Sequence, residues 1–352
     1  MEERNPAMGS SYAGFRVLPF SKRKLIAMKY STRAKIWRLS SLRERKIGEM
    51  INEMRATTLL IGIIFFTGCG SPESAPDAPR TGKPVVYASN YPLYYFAERI
   101  GGDFVDLRYP VEPGGDPAFW RPSNEAITGM QKADVIFLNG ATYEKWKSTV
   151  TLPVSPVVNT SIVFSGDYIE TEGVVHTHGP GEAHSHGEIA FTTWMDLQQA
   201  IWQAEEVSVA LTQLLPDKET ELQRRFDTLA DEIETLHVEF KKVGDSIGNT
   251  PLVASHPVYQ YFARRYGLAI KSVHWEPEVT PVRKAVVELH DILEVHPAKW
   301  MLWEGQPIEA AVKMLEEKGI KSIVIDPCGN QPEEGDWMSV MRANLEQLKL
   351  LQ

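Results

Sequence analysis

Four of the chain's nine histidines lie close together in the segment HTHGPGEAHSHG. They are His176, His178, His184 and His186, with Glu182 and Glu188 beside them. Neutral imidazole is the commonest transition-metal ligand, and short tracts this rich in histidine are typical of metal binding. Because an irregular loop loses conformational entropy when it is ordered around an ion, the tract suits transient capture better than a fixed site. The alternative is a solvated polar loop.

Two further candidate ligands follow apolar runs that are typical of buried strands. His256 comes after Leu252-Val253-Ala254-Ser255, and Asp326 comes directly after Ile323-Val324-Ile325. In open α/β sheets ligands bind at the carboxyl ends of the strands, so these two side chains could share one cation. Each residue taken alone also has a structural alternative. A histidine at a strand end is often a capping or core residue, and an aspartate before proline is often part of a turn.

The sequence favours a binding protein over an enzyme. A hydrolase triad built on His256 and Asp326 would need a nucleophile elbow, and no GxSxG, HExxH, GxxxxGK[ST] or GxGxxG motif is present. The other histidines, His237, His274 and His290 with His296, lack paired spacing and are interpreted as surface or core residues.

Charge is unevenly distributed along the 352 residues. The formal net charge is −9, but residues 1–68 hold 13 Lys/Arg against 5 Asp/Glu, so the remainder has 24 basic and 41 acidic residues, a net −17. A body this acidic repels phosphates, which excludes a nucleic-acid partner and favours cation capture.

The two cysteines, Cys69 and Cys328, exclude a disulfide framework and zinc motifs of the CxxC type. Cys69 follows a short apolar run over 59–66 and the small residues Thr67-Gly68. This run is too short to span a bilayer and is typical of a lipoprotein signal peptide whose cysteine is lipidated. The alternative is a buried strand with a chance cysteine. If Cys69 is lipidated, Cys328 is expected to be a free, buried thiol.

Apolar runs alternate with helical stretches from residue 83 onward, which predicts parallel α/β sheets. Six apolar residues between 222 and 240 recur at steps of three and four, which predicts one long helix.

The predicted fold is α/β, with two similar parallel-sheet lobes joined by one long rigid helix and a metal cleft between the lobes. The predicted segments are a signal or mis-start region over 1–68, a tether over 69–82, an N-terminal lobe over 83–217 with a His-rich loop at 171–188, an interlobe helix over 218–244 and a C-terminal lobe over 245–352.

The order of these features resembles the zinc/manganese solute-binding lipoproteins of ABC importers, and the resemblance covers residues 83–350. Its strongest parts are Gly115-Asp116-Pro117, Ala133-Asp134-Val135-Ile136, Trp194-Met195-Asp196, Ser255-His256 and Ile325-Asp326-Pro327. The resemblance implies a cation held between the lobes by three histidines and a carboxylate, with His256 and Asp326 as two of these ligands.

At the other two ligand positions this chain has Ala118 and Thr192. Alanine has no donor atom and neutral threonine is a poor zinc ligand. Three explanations stay open. The His-rich loop could supply the missing imidazoles, the cleft could take another ligand near Phe119, Trp120 and Arg121, or the chain could be a degenerate member that acts as a metal scavenger or interaction lipoprotein.

We therefore predict an extracytoplasmic binding protein, periplasmic or at the cell surface, held to the membrane by a lipid anchor. Its expected cargo is Zn²⁺, with Mn²⁺ or Fe²⁺ as alternatives, and its expected partner is the permease of an ABC transporter. A monomer is expected.

Overall fold

The computed structural model describes residues 82–152, 157–171 and 188–352. The predictions made for Cys69 and for the four histidines of the His-rich loop lie outside these ranges. All of the described residues belong to one compact unit, Thr81–Gln352. None of their helices is both long enough and apolar enough to cross a membrane.

The N-terminal lobe contains a four-stranded parallel sheet in the order β2-β1-β3-β4. Its strands and helices are β1 Val85–Ala88, α1 Tyr91–Gly101, β2 Asp106–Arg108, α2 Asn124–Gln131, β3 Val135–Leu138 and β4 Val157–Asn159. The side chain of Asn90 accepts from the backbone N–H of Leu93 and so begins α1. All four residues of β3 are buried, as expected of a central parallel strand.

A short antiparallel ribbon flanks the His-rich loop. It pairs β5 Glu170–Thr171 with β6 Glu188–Ile189, so the two ends of the loop are held side by side. The backbone N–H of Ala190 continues this pairing by donating to the carbonyl of Ile169. The loop therefore begins and ends at one place on the N-terminal lobe.

Two long helices follow the ribbon, α3 Leu197–Leu214 and α4 Glu219–Ile247. With 29 residues, α4 is about 43 Å long. It packs against α1 and α3 of the N-terminal lobe and against helices of the C-terminal lobe. The predicted apolar stripe is confirmed, because its six residues are buried: Leu222, Phe226, Leu229, Ile233, Leu236 and Phe240.

The C-terminal lobe has a second parallel sheet, in the order β10-β9-β7-β8. Its elements are β7 Pro251–Ala254, α5 Gln260–Tyr266, β8 Ala269–Ser272, α6 Arg283–Val295, β9 Trp300–Trp303, α7 Glu309–Glu316, β10 Lys321–Val324 and α8 Trp337–Lys349. The strand order places β7 between β8 and β9, so the loops that follow these three strands meet at one sheet edge.

The predicted fold class is confirmed: the chain folds as α/β, with two parallel-sheet lobes and one long helix that packs on both. Strand β2 is short, with only Asp106–Arg108 paired with β1. The strand β4 and the ribbon were not predicted, because segments of two or three residues leave too little periodicity to recognise. The expectation that Cys328 is a free, buried thiol is confirmed.

Candidate metal centre

His256 lies at the carboxyl end of the central strand β7, as the sequence predicts. The chain remains in the sheet up to Ser255, whose backbone N–H donates to the Leu302 carbonyl and whose carbonyl accepts from the N–H of Trp275. These bonds join the end of β7 to the ends of both neighbouring strands. The imidazole of His256 therefore projects where three strand-end loops converge.

Two glutamates from the neighbouring loops face this imidazole. The Nδ1 atom of His256 lies 3.7 Å from Oε1 of Glu276, which follows β8, and 3.5 Å from Oε1 of Glu304, which directly follows β9. One donor atom from each residue falls within a group whose members all lie within 4.8 Å of one another. Donors bound tetrahedrally to one ion at about 2.1 Å are about 3.4 Å apart, so the spacing is suited to a shared cation.

Burial disfavours the charged forms of two members of this His–Glu–Glu cluster, His256 and Glu304. Burial lowers the pKa of His256 despite the neighbouring carboxylate of Glu276, so the two close His–Glu contacts are not ion pairs at neutral pH. Burial, followed by the Glu276 carboxylate, raises the pKa of Glu304 to about 8. The Nδ1 atom of His256 is buried without a hydrogen-bond partner among the described residues. A neutral imidazole beside two crowded carboxyls is a suitable donor set for a divalent cation.

Asp326 lies near this cluster but is not one of its three members. It follows β10, the outer strand, and its Oδ1 accepts from the N–H of Cys328 at 2.6 Å. Burial raises its pKa, and its charge contributes to the raised pKa of Glu304. Its role as a metal ligand remains a prediction.

Ala118 and Thr192 stand at the two positions where the resemblance implies histidine ligands. Both residues make structural contacts within the fold. Ala118 is buried, and its carbonyl accepts from the N–H of Lys145. The hydroxyl of buried Thr192 donates to the carbonyl of Val258, two residues beyond His256. Thr192 therefore joins the two lobes at the edge of the cleft.

The suggestion of another ligand near Phe119, Trp120 and Arg121 receives little support from the geometry. Trp120 belongs to the core of the N-terminal lobe and packs edge-on against Trp146, with ring centroids 5.6 Å apart. Only Phe119 and Arg121 are exposed.

Sequence reasoning missed Glu276 and Glu304 as candidate ligands, and it interpreted His274 only as a surface or core residue. The ring of His274 lies 5.6 Å from that of His256, centroid to centroid. The signal that could have found Glu304 is the one that selected His256, namely a polar residue at the end of an apolar strand. Glu276 lies four residues beyond β8, where that signal is lost.

Two parallel α/β lobes, with a cluster of ligand-type side chains at the strand ends of one lobe, are the architecture of a bilobed binding protein. Residues 86–350 match the model of the family described as "Zinc-uptake complex component A periplasmic". The chain belongs to that family.

Similar proteins were found by sequence. The zinc-binding lipoprotein AdcA of Streptococcus pneumoniae strain R6 is 24% identical over 311 residues, which cover 84% of this chain and 61% of AdcA. The metal ABC transporter substrate-binding lipoprotein SsaB of Streptococcus sanguinis is 24% identical over 303 residues, 82% of this chain and 95% of SsaB. The chain thus spans about three fifths of the length of the first AdcA relatives that it matches.

Solved structures share the fold. The Zn(II)-bound ZnuA-like domain of S. pneumoniae AdcA superimposes with a TM-score of 0.64 at 22% identity, covering 77% of this chain and 99% of that domain. The metal-dependent lipoprotein YcdH of Bacillus subtilis gives a TM-score of 0.64 at 19% identity, and the match covers 76% of this chain and 98% of YcdH. At these identities the likeness shows the fold alone.

Proposed function

We propose that this protein captures a divalent cation, with Zn²⁺ as the preferred cargo, and delivers it to the permease of an ABC importer. The observation that carries the proposal is the His–Glu–Glu cluster, in which donor atoms of His256, Glu276 and Glu304 lie within 4.8 Å of one another. Imidazole with carboxylates is a donor set that Zn²⁺, Mn²⁺ and Fe²⁺ accept. The sequence relatives named as zinc-binding or metal-transporter lipoproteins support the same function.

The His-rich loop and Asp326 complete the proposal. The four loop histidines, His176, His178, His184 and His186, collect the ion first and raise its concentration near the cleft. His186 is six residues from Thr192, so an extended segment can span up to about 20 Å between them. Asp326, at the end of the neighbouring strand β10, is the proposed additional carboxylate of the site.

The same proposal includes an extracytoplasmic location and a lipid anchor at Cys69. A lipidated cysteine needs a signal peptide before it, and residues 59–66 have the required short apolar run. A monomeric lipoprotein tethered through residues 70–82 could meet a permease in the same membrane.

The decisive experiment is a Zn²⁺ titration of chelator-treated protein by calorimetry, combined with elemental analysis of protein purified without chelator. His256→Ala is expected to lower the affinity for Zn²⁺ at least tenfold. His290→Ala is the matched control, because His290 is exposed on α6 and lies beside the exposed side chains of Asp291 and Glu294. Equal affinities of His256→Ala and wild type would contradict the proposed site. Protein without metal, and without a melting shift in Zn²⁺, Mn²⁺ or Fe²⁺, would favour an interaction lipoprotein instead.

A further inference from the structure

The His–Glu–Glu cluster offers a cation one imidazole and two carboxylates, a donor set in which oxygen predominates. Carboxylate oxygen suits Mn²⁺, whereas imidazole nitrogen suits Zn²⁺. We infer that His274 is a further ligand of this site, the second imidazole on the same ion, and that it sets a preference for Zn²⁺ over Mn²⁺. The inference rests on the metal-binding function proposed above and adds a ligand to it.

The register of the C-terminal sheet places His274 beside His256. Residues of β7 lie opposite residues of β8 that come 18 positions later and residues of β9 that come 48 positions later, as in Ala254 with Ser272 and Leu302. Two residues beyond the end of β7, the same offsets put His256 between His274 and Glu304. Opposite residues on parallel strands point to the same face and are about 4.8 Å apart. The two histidines and Glu304 therefore form one row across three neighbouring strand ends.

Backbone hydrogen bonds continue the pairing of β7 and β8 past the strand ends. The N–H of Val273 donates to the carbonyl of Ala254 at 2.9 Å, and the N–H of Trp275 donates to that of Ser255 at 2.7 Å. The side chains of Val273 and Trp275 are buried in the core of the C-terminal lobe. Because side chains alternate along an extended segment, His274 between them points away from this core, toward the cluster.

The two imidazole rings have the separation that a shared ion requires. The ring centroids of His256 and His274 are 5.6 Å apart. Two imidazoles bound to one tetrahedral ion at about 2.1 Å have centroids about 5.3 Å apart. His274 is not one of the three residues whose donor atoms lie within 4.8 Å of one another, so its ring has to turn before a nitrogen reaches the ion. Its side chain is 53% exposed, which leaves room for this rotation.

Glu288 of α6 is placed to hold the turned ring. Its Oε1 lies 3.9 Å from Nδ1 of His274, which is beyond hydrogen-bond distance. A histidine that binds a metal through one ring nitrogen commonly donates the N–H of the other to a carboxylate, which fixes the orientation of the ring. With Nε2 of His274 on the ion, Nδ1 faces Glu288. Glu288 is therefore a positioning residue for this ligand.

The test compares His274→Ala and His274→Phe with the control His290→Ala. Affinities for Zn²⁺ and Mn²⁺ are measured on chelator-treated protein by competition with a chromophoric chelator. Phenylalanine keeps an aromatic ring beside His256 but has no donor atom, so both substitutions of His274 should lower the Zn²⁺ affinity at least tenfold and the Mn²⁺ affinity by a smaller factor. His290→Ala should change either affinity less than twofold. Because His274 and His290 are exposed, all three variants should melt within a few degrees of wild type.

Two outcomes of this comparison would overturn the inference. Wild-type Zn²⁺ affinity in His274→Phe would show that the ring only packs against His256. Equal losses for Zn²⁺ and Mn²⁺ would overturn the role of His274 in selectivity.

Co²⁺ gives a second readout that does not depend on affinity. At saturating Co²⁺, removal of an imidazole ligand changes the intensity and position of the visible absorption bands, so both variants of His274 should differ from wild type while His290→Ala should not. Glu288→Gln should weaken Zn²⁺ binding less than His274→Ala and should add nothing to it in the double variant. A wild-type Co²⁺ spectrum in His274→Ala would overturn the assignment of a ligand.

The inference and the proposed function can fail separately. If His274→Ala binds Zn²⁺ like wild type while His256→Ala does not, this inference fails and the proposed function stands. If His256→Ala also binds like wild type, the proposed function fails.

Discussion

The Nδ1 atom of His256 and the Oε1 atom of Glu304 lie 3.5 Å apart in a partly buried cleft, and neither group is charged at neutral pH. Burial lowers the pKa of the imidazole and raises that of the carboxyl, so the contact is a neutral one that a cation would change into two metal–ligand bonds. This relationship has measurable consequences.

The first prediction concerns the pH dependence of the apoprotein. The pKa of Glu304 rises from an ordinary 4.5 to about 8, because of burial first and then the carboxylates of Glu276, Asp116, Glu278 and Asp326. The folded state thus holds a proton that the unfolded state has released, and stability is lost as the pH rises from about 4.5 to about 8. The slope contributed by one group is at most about 1.4 kcal/mol per pH unit.

Urea unfolding of the metal-free protein at several pH values measures this slope. In Glu304→Gln the part due to Glu304 should disappear, so the two stability curves should converge toward low pH and separate above pH 5 in favour of the variant. Parallel curves over the whole range would contradict the raised pKa.

The second prediction concerns the ion pair between the lobes. Arg265 of α5 donates through Nε to Oδ1 of Asp196 at 2.6 Å, and Asp196, which is 1% exposed, also caps α3. Asp196→Ala removes the cap and leaves the arginine without its buried partner, so it should destabilise the fold by about 3 kcal/mol. Calorimetric melting measures the effect. Lys313→Ala, in the exposed pair with Glu309, should cost no more than about 0.5 kcal/mol.

The third prediction concerns Asp326. The side chain of Asn344 accepts from the backbone N–H of Asp326 at 2.9 Å and donates to its carbonyl at 2.7 Å, so Asn344 fixes the backbone of this residue. If Asp326 is a ligand, Asp326→Ala should lower Zn²⁺ affinity at least tenfold, and Asn344→Ala should lower it by a smaller factor. Zn²⁺ titration of the two folded variants is the measurement. Wild-type affinity in Asp326→Ala would restrict the C-terminal ligands to the His–Glu–Glu cluster.

The fourth prediction concerns the His-rich loop. Deleting residues 176–186 leaves the ribbon of β5 and β6 and the three members of the cluster in place, so the fold should be retained. The number of Zn²⁺ ions bound per chain, or the rate of loading at low Zn²⁺, should fall because the imidazoles of the loop are lost. Replacement of the same residues by a Gly/Ser segment of equal length controls for the shortening. Unchanged stoichiometry and loading would identify the loop as a linker.

More of the fold than of the candidate metal site could be predicted from the sequence. Apolar periodicity is local, so the stripe on α4 and the end of β7 at His256 could be predicted from neighbouring residues. Glu276 could not, because its distance from His256 depends on the path of the loop beyond β8. The sequence suggests Trp120 as a residue near the ligand in the cleft, whereas its contact with Trp146 in the structure places it in the core.

The sequence by itself determined the alternation of strands and helices, the long amphipathic helix and the presence of imidazole and carboxylate at strand ends, since each depends on residues adjacent along the chain. The tertiary structure alone decided which of them meet. The order β8-β7-β9 is not the order of the chain, and it brings Glu276 and Glu304 to either side of His256. The hydrogen bonds from the Asn330 side chain to the carbonyls of Glu112 and Gly115 likewise join residues more than 200 positions apart, and no local pattern encodes them.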